Sequence, residues 1–153
     1  MANVAEEIVV PGDLAEVWDL YFDQRTWPAW VDEFRAVEER DDVYPEEEGR
    51  LVWRSGPAGR GRVEETVLRH EPRRTHEISY LDPNSTGRQL TTFEISGADR
   101  VRVRIELEYD LVRPNFLPFT NRLFIRPQMR GMLVRSLEGL RAEAQGLADT
   151  PQP

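Results

Sequence analysis

The sequence predicts an α+β domain in which a curved antiparallel sheet wraps around one long C-terminal helix, with two short helices after the first strand. Three observations carry this. Residues 100–111 alternate Val101, Val103, Ile105, Leu107 and Tyr109 with Arg102, Arg104, Glu106 and Glu108, and a period of two with one charged face means one face buried and one in water. Residues 49–111 break into short β-rich runs separated by Pro- and Gly-containing turns, the pattern of a hairpin meander. Leu133, Leu137, Leu140, Ala144 and Leu147 recur at spacings of four, three, four and three, a helical stripe long enough to cover a sheet.

The remaining elements follow in order. Residues 3–10 are β-rich and stop at Pro11-Gly12. Asp13 with Glu16 has capping-box spacing, and Leu14, Val17, Trp18 and Tyr21 make one apolar helical face. A short second helix or turn spans Thr26 to Val31. The acidic run from Glu38 to Glu48 reads as a solvated strand end and loop, because it lacks the ordered spacing of a calcium loop. Strands are expected at 50–55, 60–69, 75–81, 88–96 and 100–111. Pro127 should kink or restart the last helix. The domain is expected over 1–148, with 149–153 a frayed tail.

Composition excludes several chemistries. The 153 residues contain no cysteine, so disulfides, thiolate metal sites and thiol nucleophiles are ruled out. All 20 cations are arginine, which removes Schiff-base lysines and Lys-bearing phosphate loops. His70 and His76 match no common zinc spacing, so no metal and no cofactor is expected, and His70 is expected at a solvated turn. The Gly-rich Ser55–Gly61 stretch is not followed by a helix and reads as a hairpin turn. A net charge of −8 makes nucleic acid a poor partner. Charges interrupt every apolar run before a membrane span could form. Residues 1–10 lack a basic leader, and a cytoplasmic protein is expected.

The segment EIVVPGDLAEVWDLYFDQRTWPAWV, with Pro11, Val17-Trp18 and Trp27-Pro28-x-Trp30, resembles the opening of the polyketide cyclase/dehydrase-like branch of the START-like (SRPBCC) superfamily. Gly49 before a strand, the turn His70-Glu71-Pro72-Arg73-Arg74 and the stripe Ser136-Leu137-x-x-Leu140 are similar to later landmarks of that group. The resemblance covers residues 4–147 and implies a helix-grip fold with an internal hydrophobic cavity. Members include aromatase/cyclases, lipid and quinone binders and hormone receptors, and no motif here selects one of them.

Strand parity places Leu51, Trp53, Val63, Glu65, Val67, His76, Ile78, Tyr80, Thr91, Phe93 and Ile95 inward, together with the apolar set of 101–109. The polar members are the catalytic candidates: Glu65 and His76 as acid or base, Tyr80 and Tyr109 as donors to a ketone or enolate oxygen. Trp30, Trp53, Val67, Ile78, Thr91, Phe93, Val103, Ile105, Leu107, Phe124, Met129, Met132 and Leu133 are the candidate ligand-binding residues. Residues 113–141 carry Arg113, Arg122, Arg126, Arg130, Arg135 and Arg141 against Glu138 alone. Arg122, Arg126 and Arg130 fall on one helical face, which suits an anionic headgroup or a carrier-protein contact. The same spacing also fits a solvated face that balances the acidic sheet.

Three functions fit these residues: a binder of a polyketide-, lipid- or quinone-like molecule, an aromatase/cyclase acting on a poly-β-ketone by acid–base catalysis, and an interaction module whose pocket is filled by Trp18, Trp30, Trp53 and Phe93.

Overall fold

A computed structural model describes residues 1–112 and 124–151. The sheet is built from β1 (Ala2–Pro11), β2 (Phe34–Arg40), β3 (Arg50–Ser55), β4 (Arg62–Glu71), β5 (Thr75–Leu81), β6 (Ser85–Ile95) and β7 (Arg100–Leu111). The helices are α1 (Leu14–Phe22), α2 (Trp27–Trp30) and the C-terminal α3 (Arg126–Asp149). All strand pairs are antiparallel, in the spatial order β1-β7-β6-β5-β4-β3-β2. The last strand is thus clasped by the first, and the β2–β7 meander runs outward from it.

Local chemistry sets the element ends. Gly12 takes φ +123°, a conformation open to glycine, and turns the chain from β1 into α1. The Asp13 carboxylate then accepts the Glu16 backbone N–H at 2.8 Å, the expected cap. Pro127 lies in the first turn of α3, directly after a π-helical turn at 124–125, a position where proline is tolerated.

The inner sheet face, α1, α2 and α3 share one core. Val101, Val103, Ile105, Leu107 and Tyr109 are all buried, as the alternation predicted. Helix α3 buries Leu133, Leu137, Leu140 and Ala144 and packs mainly on β1 and α2. A Cβ at Gly139 would lie 2.8 Å from the Trp30 Cα, so glycine there permits the close α2–α3 approach. No helix among the described residues is long and apolar enough to cross a membrane.

Several expectations are corrected. The run into the acidic segment contains a seventh strand, β2, whose pairing with β3 is interrupted by two register shifts. Ile95 is 71% exposed at the end of β6 and Leu147 is 55% exposed near the end of α3. Phe124 is 61% exposed just before α3 and belongs to neither the cavity nor the cleft described below. His70 is not at a turn in water. Leu68 bulges out between the Val67–Ile78 and Arg69–Glu77 pairs, which flips the parity of β4 and places His70 opposite His76. The apolar run at Phe116, Leu117, Phe119 and Leu123, with Arg113 and Arg122, lies outside the described residues.

Candidate functional site

A cavity of about 90 Å³ opens between the inner sheet face and the helices. Its wall is mostly aromatic and aliphatic: Tyr21, Trp27, Trp30, Val31, Phe34, Tyr44, Leu51, Trp53, Ile78, Ile105, Met132 and Leu133. The polar groups in the wall are Asp32, Arg60, Glu65, His76, Gln89 and Ser136. Asp32, Arg60 and Met132 also line a wider cleft of about 710 Å³, bounded by the 58–60 and 82–85 turns and the start of α3.

Glu65 is presented by β4 directly opposite Leu51 of β3 and Tyr80 of β5. Its Oε2 accepts the Trp53 indole N–H at 2.6 Å. Burial drives its pKa above the ordinary carboxylate value, and neither the indole donor nor the Arg60 charge offsets that. Its remaining surface faces the cavity that it lines.

Arg60 sits in the Gly-rich turn and reaches inward. Its Nε donates to the Asp82 carboxylate at 3.0 Å, and its guanidinium lies 4.4 Å from the Tyr80 ring centroid. Asp82 is in turn held by the backbone N–H groups of Asn84 and Ser85. The Arg60 Nη2 is buried and has no hydrogen-bond partner among the described residues. Buried donors in folded proteins are nearly always paired, and this one belongs to a residue that lines both the cavity and the cleft.

Two tyrosines complete the polar end. The Tyr21 hydroxyl lies 3.0 Å from the Thr91 Oγ, and desolvation pushes its pKa up to about 12. Burial also holds the Tyr44 hydroxyl well above its ordinary pKa, with the nearby Glu65 charge adding to the effect. His76 is buried, and desolvation with the neighbouring His70 pushes its pKa down to about 3, so it is neutral.

The structure divides the candidates. Glu65 and His76 line the cavity, as do Trp30, Trp53, Ile78, Ile105, Met132 and Leu133, while Met129 lines the outer cleft. Tyr80 lies behind Arg60, its hydroxyl 3.2 Å from the Ser85 Oγ. Thr91 anchors Tyr21 from behind. Val67, Phe93, Val103, Leu107 and Tyr109 are buried core that does not line the cavity. Of the arginine face, Arg130 bonds Glu6 at 2.9 Å, and elsewhere on the helix Arg135 bonds Asp32 at 2.8 Å. Arg126 is exposed.

Sequence reasoning missed Arg60, Tyr21, Tyr44 and Gln89. Gln89 shares the parity of Thr91 and was open to discovery. Tyr21 was read only as core. Arg60 in a turn and Tyr44 in an acidic run gave no periodic signal.

A family profile described as "Polyketide cyclase / dehydrase and lipid transport" matches residues 1–145. With that match over a curved sheet closed on a long helix, the chain belongs to this family. Among solved structures it is similar to the Zhui aromatase/cyclase from Streptomyces sp. R1128, at 14% identity and TM-score 0.76 over 94% of this chain and 93% of that one. A START superfamily protein from Mycobacterium smegmatis matches at 13% identity and TM-score 0.70, over 95% and 98%. Norcoclaurine synthase from Thalictrum flavum matches at 12% identity and TM-score 0.69, over 97% and 87%. These likenesses establish the START-like helix-grip fold. No functionally curated protein matches the sequence.

Proposed function

We propose that the chain binds a small, largely hydrophobic molecule bearing a carbonyl or comparable oxygen (polyketide-, quinone- or lipid-like) in the cavity and adjoining cleft. One observation carries the reading: the unpartnered Arg60 Nη2 within an aromatic wall. Asp82 already balances the Arg60 charge, so the free N–H calls for a neutral acceptor, not a second anion. The apolar wall supplies the affinity and this donor the orientation. A hollow lined by Trp30 and Trp53 favours this reading over a filled pocket.

Acid–base chemistry of the aromatase/cyclase kind is a second reading, favoured by Glu65. Its raised pKa makes the ionised carboxylate a stronger base, suited to taking a proton from the carbon next to a ketone. The C–H bond breaks, its proton goes to Glu65, and its electron pair moves to the carbonyl oxygen facing Arg60. The enolate carbon can then attack a second carbonyl, whose π electrons pass to its oxygen, and that oxygen takes back the proton from Glu65. Two fold neighbours carry enzyme names, an aromatase/cyclase and a synthase, which is compatible with such chemistry on this scaffold.

The test uses menadione, a small quinone, and 2-methylnaphthalene, which has the same ring system without the carbonyls. By calorimetry the quinone is expected to bind at least about tenfold more tightly, and Arg60→Gln to abolish that preference. Equal affinities in the native protein, or a preference that survives in Arg60→Gln, overturn the role of Arg60. If neither compound binds and native mass spectrometry of the purified protein shows no retained small molecule, the ligand-binding reading itself falls.

A further inference from the structure

We infer that His70 and His76 form a two-ring proton relay between bulk water and the cavity. The His70 and His76 Nδ1 atoms lie 3.0 Å apart. The residues are direct cross-strand partners on β4 and β5, and the Leu68 bulge is what brings His70 onto that side. His76 is 4% exposed and forms part of the cavity wall. His70 is only half-buried and so reaches solvent. The pair therefore spans the distance from water to cavity with one hydrogen bond.

The rings are held by their neighbours. From α1, Phe22 packs on both, at 5.3 Å from His70 and 4.7 Å from His76 between centroids, and Trp18 lies 5.1 Å from His70. Tyr44 closes the other side, 6.1 Å from His76. The charged groups that act on His70 are Glu46 and Glu47, while His76 feels only His70. Desolvation lowers both pKa values, so the resting pair is two neutral imidazoles. In such a pair one Nδ1 donates and the other accepts. Neither Nε2 forms a hydrogen bond among the described residues, so each is free to exchange a proton with a further group.

Transfer leaves both rings neutral. A hydronium ion at the surface gives a proton to the His70 Nε2, the His70 Nδ1 proton crosses to the His76 Nδ1, and the His76 Nε2 gives its proton to a base in the cavity such as the ionised Glu65 carboxylate. Each ring ends as the opposite tautomer, and reverse transfer restores both. A buried carboxyl group such as Glu65 needs a route of this kind to exchange protons once a bound molecule has displaced water. The use of the relay rests on the cavity being a ligand site, but its test needs no ligand, so either reading can fail alone.

The experiment is NMR on the ¹⁵N-labelled protein. Scalar coupling across the hydrogen bond is expected between the His70 and His76 Nδ1 nuclei, with one protonated and the other bare. The His76 ring proton is expected to exchange with water at least about tenfold more slowly in His70→Phe, which keeps an aromatic ring against Trp18 and Phe22. The backbone amide spectrum checks that the variant is folded. An unchanged exchange rate shows a purely structural pair and overturns the relay. Absence of the coupling in the native protein overturns it without any variant.

Discussion

The two faces of the sheet use the same residue types to opposite ends. On the outer face Arg102 pairs with Glu7 at 3.0 Å, Arg104 with Glu106 at 3.0 Å and Arg88 with Glu108 at 3.2 Å, all with side chains more than 40% exposed. On the inner face Arg60, Glu65 and His76 meet an aromatic wall. Water screens the outer pairs, so each contributes about 0–1 kcal/mol. Inside, desolvation dominates, and the Glu65 carboxyl and the His76 imidazole leave their ordinary pKa values. Charge on this sheet is therefore informative about function only where it is buried.

The largest test of that contrast is acid stability. His76 stays neutral in the folded chain, with its pKa lowered to about 3, whereas an unfolded histidine takes up a proton near 6.5. A depressed folded pKa means that stability is full above 6.5 and is lost as pH falls towards 3. At about 1.4 kcal/mol per pH unit the loss reaches on the order of 5 kcal/mol. Urea unfolding of His76→Phe from pH 7 to pH 4 is expected to show a clearly shallower acid decline than the native protein. Parallel curves would mean that the imidazole is solvated and the inner face is not dry.

Glu65 gives the next effect, with the opposite sign. Its raised folded pKa means that stability is full below the unfolded carboxylate value near 4.5 and falls as pH rises through the folded value. Glu65→Gln can keep an acceptor for the Trp53 indole and removes the buried charge. It is expected to stabilise the protein by about 1–3 kcal/mol at pH 8 and to change little at pH 4, measured by chemical denaturation. Destabilisation at pH 8 would show that the ionised carboxylate is well paired in its cavity.

How much of this was legible follows from where periodicity survives. Val101 to Tyr109 and Leu133 to Leu140 kept an unbroken period, so the sheet face and its helix could be read directly. Strand β2 offers only Phe34 and Val37 as half-buried apolar residues, and its register shifts break the alternation. Leu68 does the same in β4, and that one extra residue reversed the expected position of His70. Glu65 and His76 were legible because polar residues at inward parity are conspicuous. Tyr80 and Tyr109 share that parity but not the cavity, because the inner face is longer than the hollow it encloses. Arg60 comes from a turn, where no period exists, and only coordinates reveal its unpaired Nη2.

The smallest expected effect closes the contrast from the outer face. Arg104 bonds Glu106 at 3.0 Å and approaches Glu7 at 3.8 Å across the β1–β7 pair, yet its side chain is 41% exposed. Arg104→Gln removes both contacts and leaves the β7 backbone ladder intact. Desolvation is slight there, so little is lost with the charge, and the change in unfolding free energy is expected to stay within about 0.5 kcal/mol. It should shrink further in 1 M salt, where screening acts within about 3 Å. A loss comparable to that of the inner-face variants, or one insensitive to salt, would show that the outer charges are structurally coupled and that burial is not what separates the two faces.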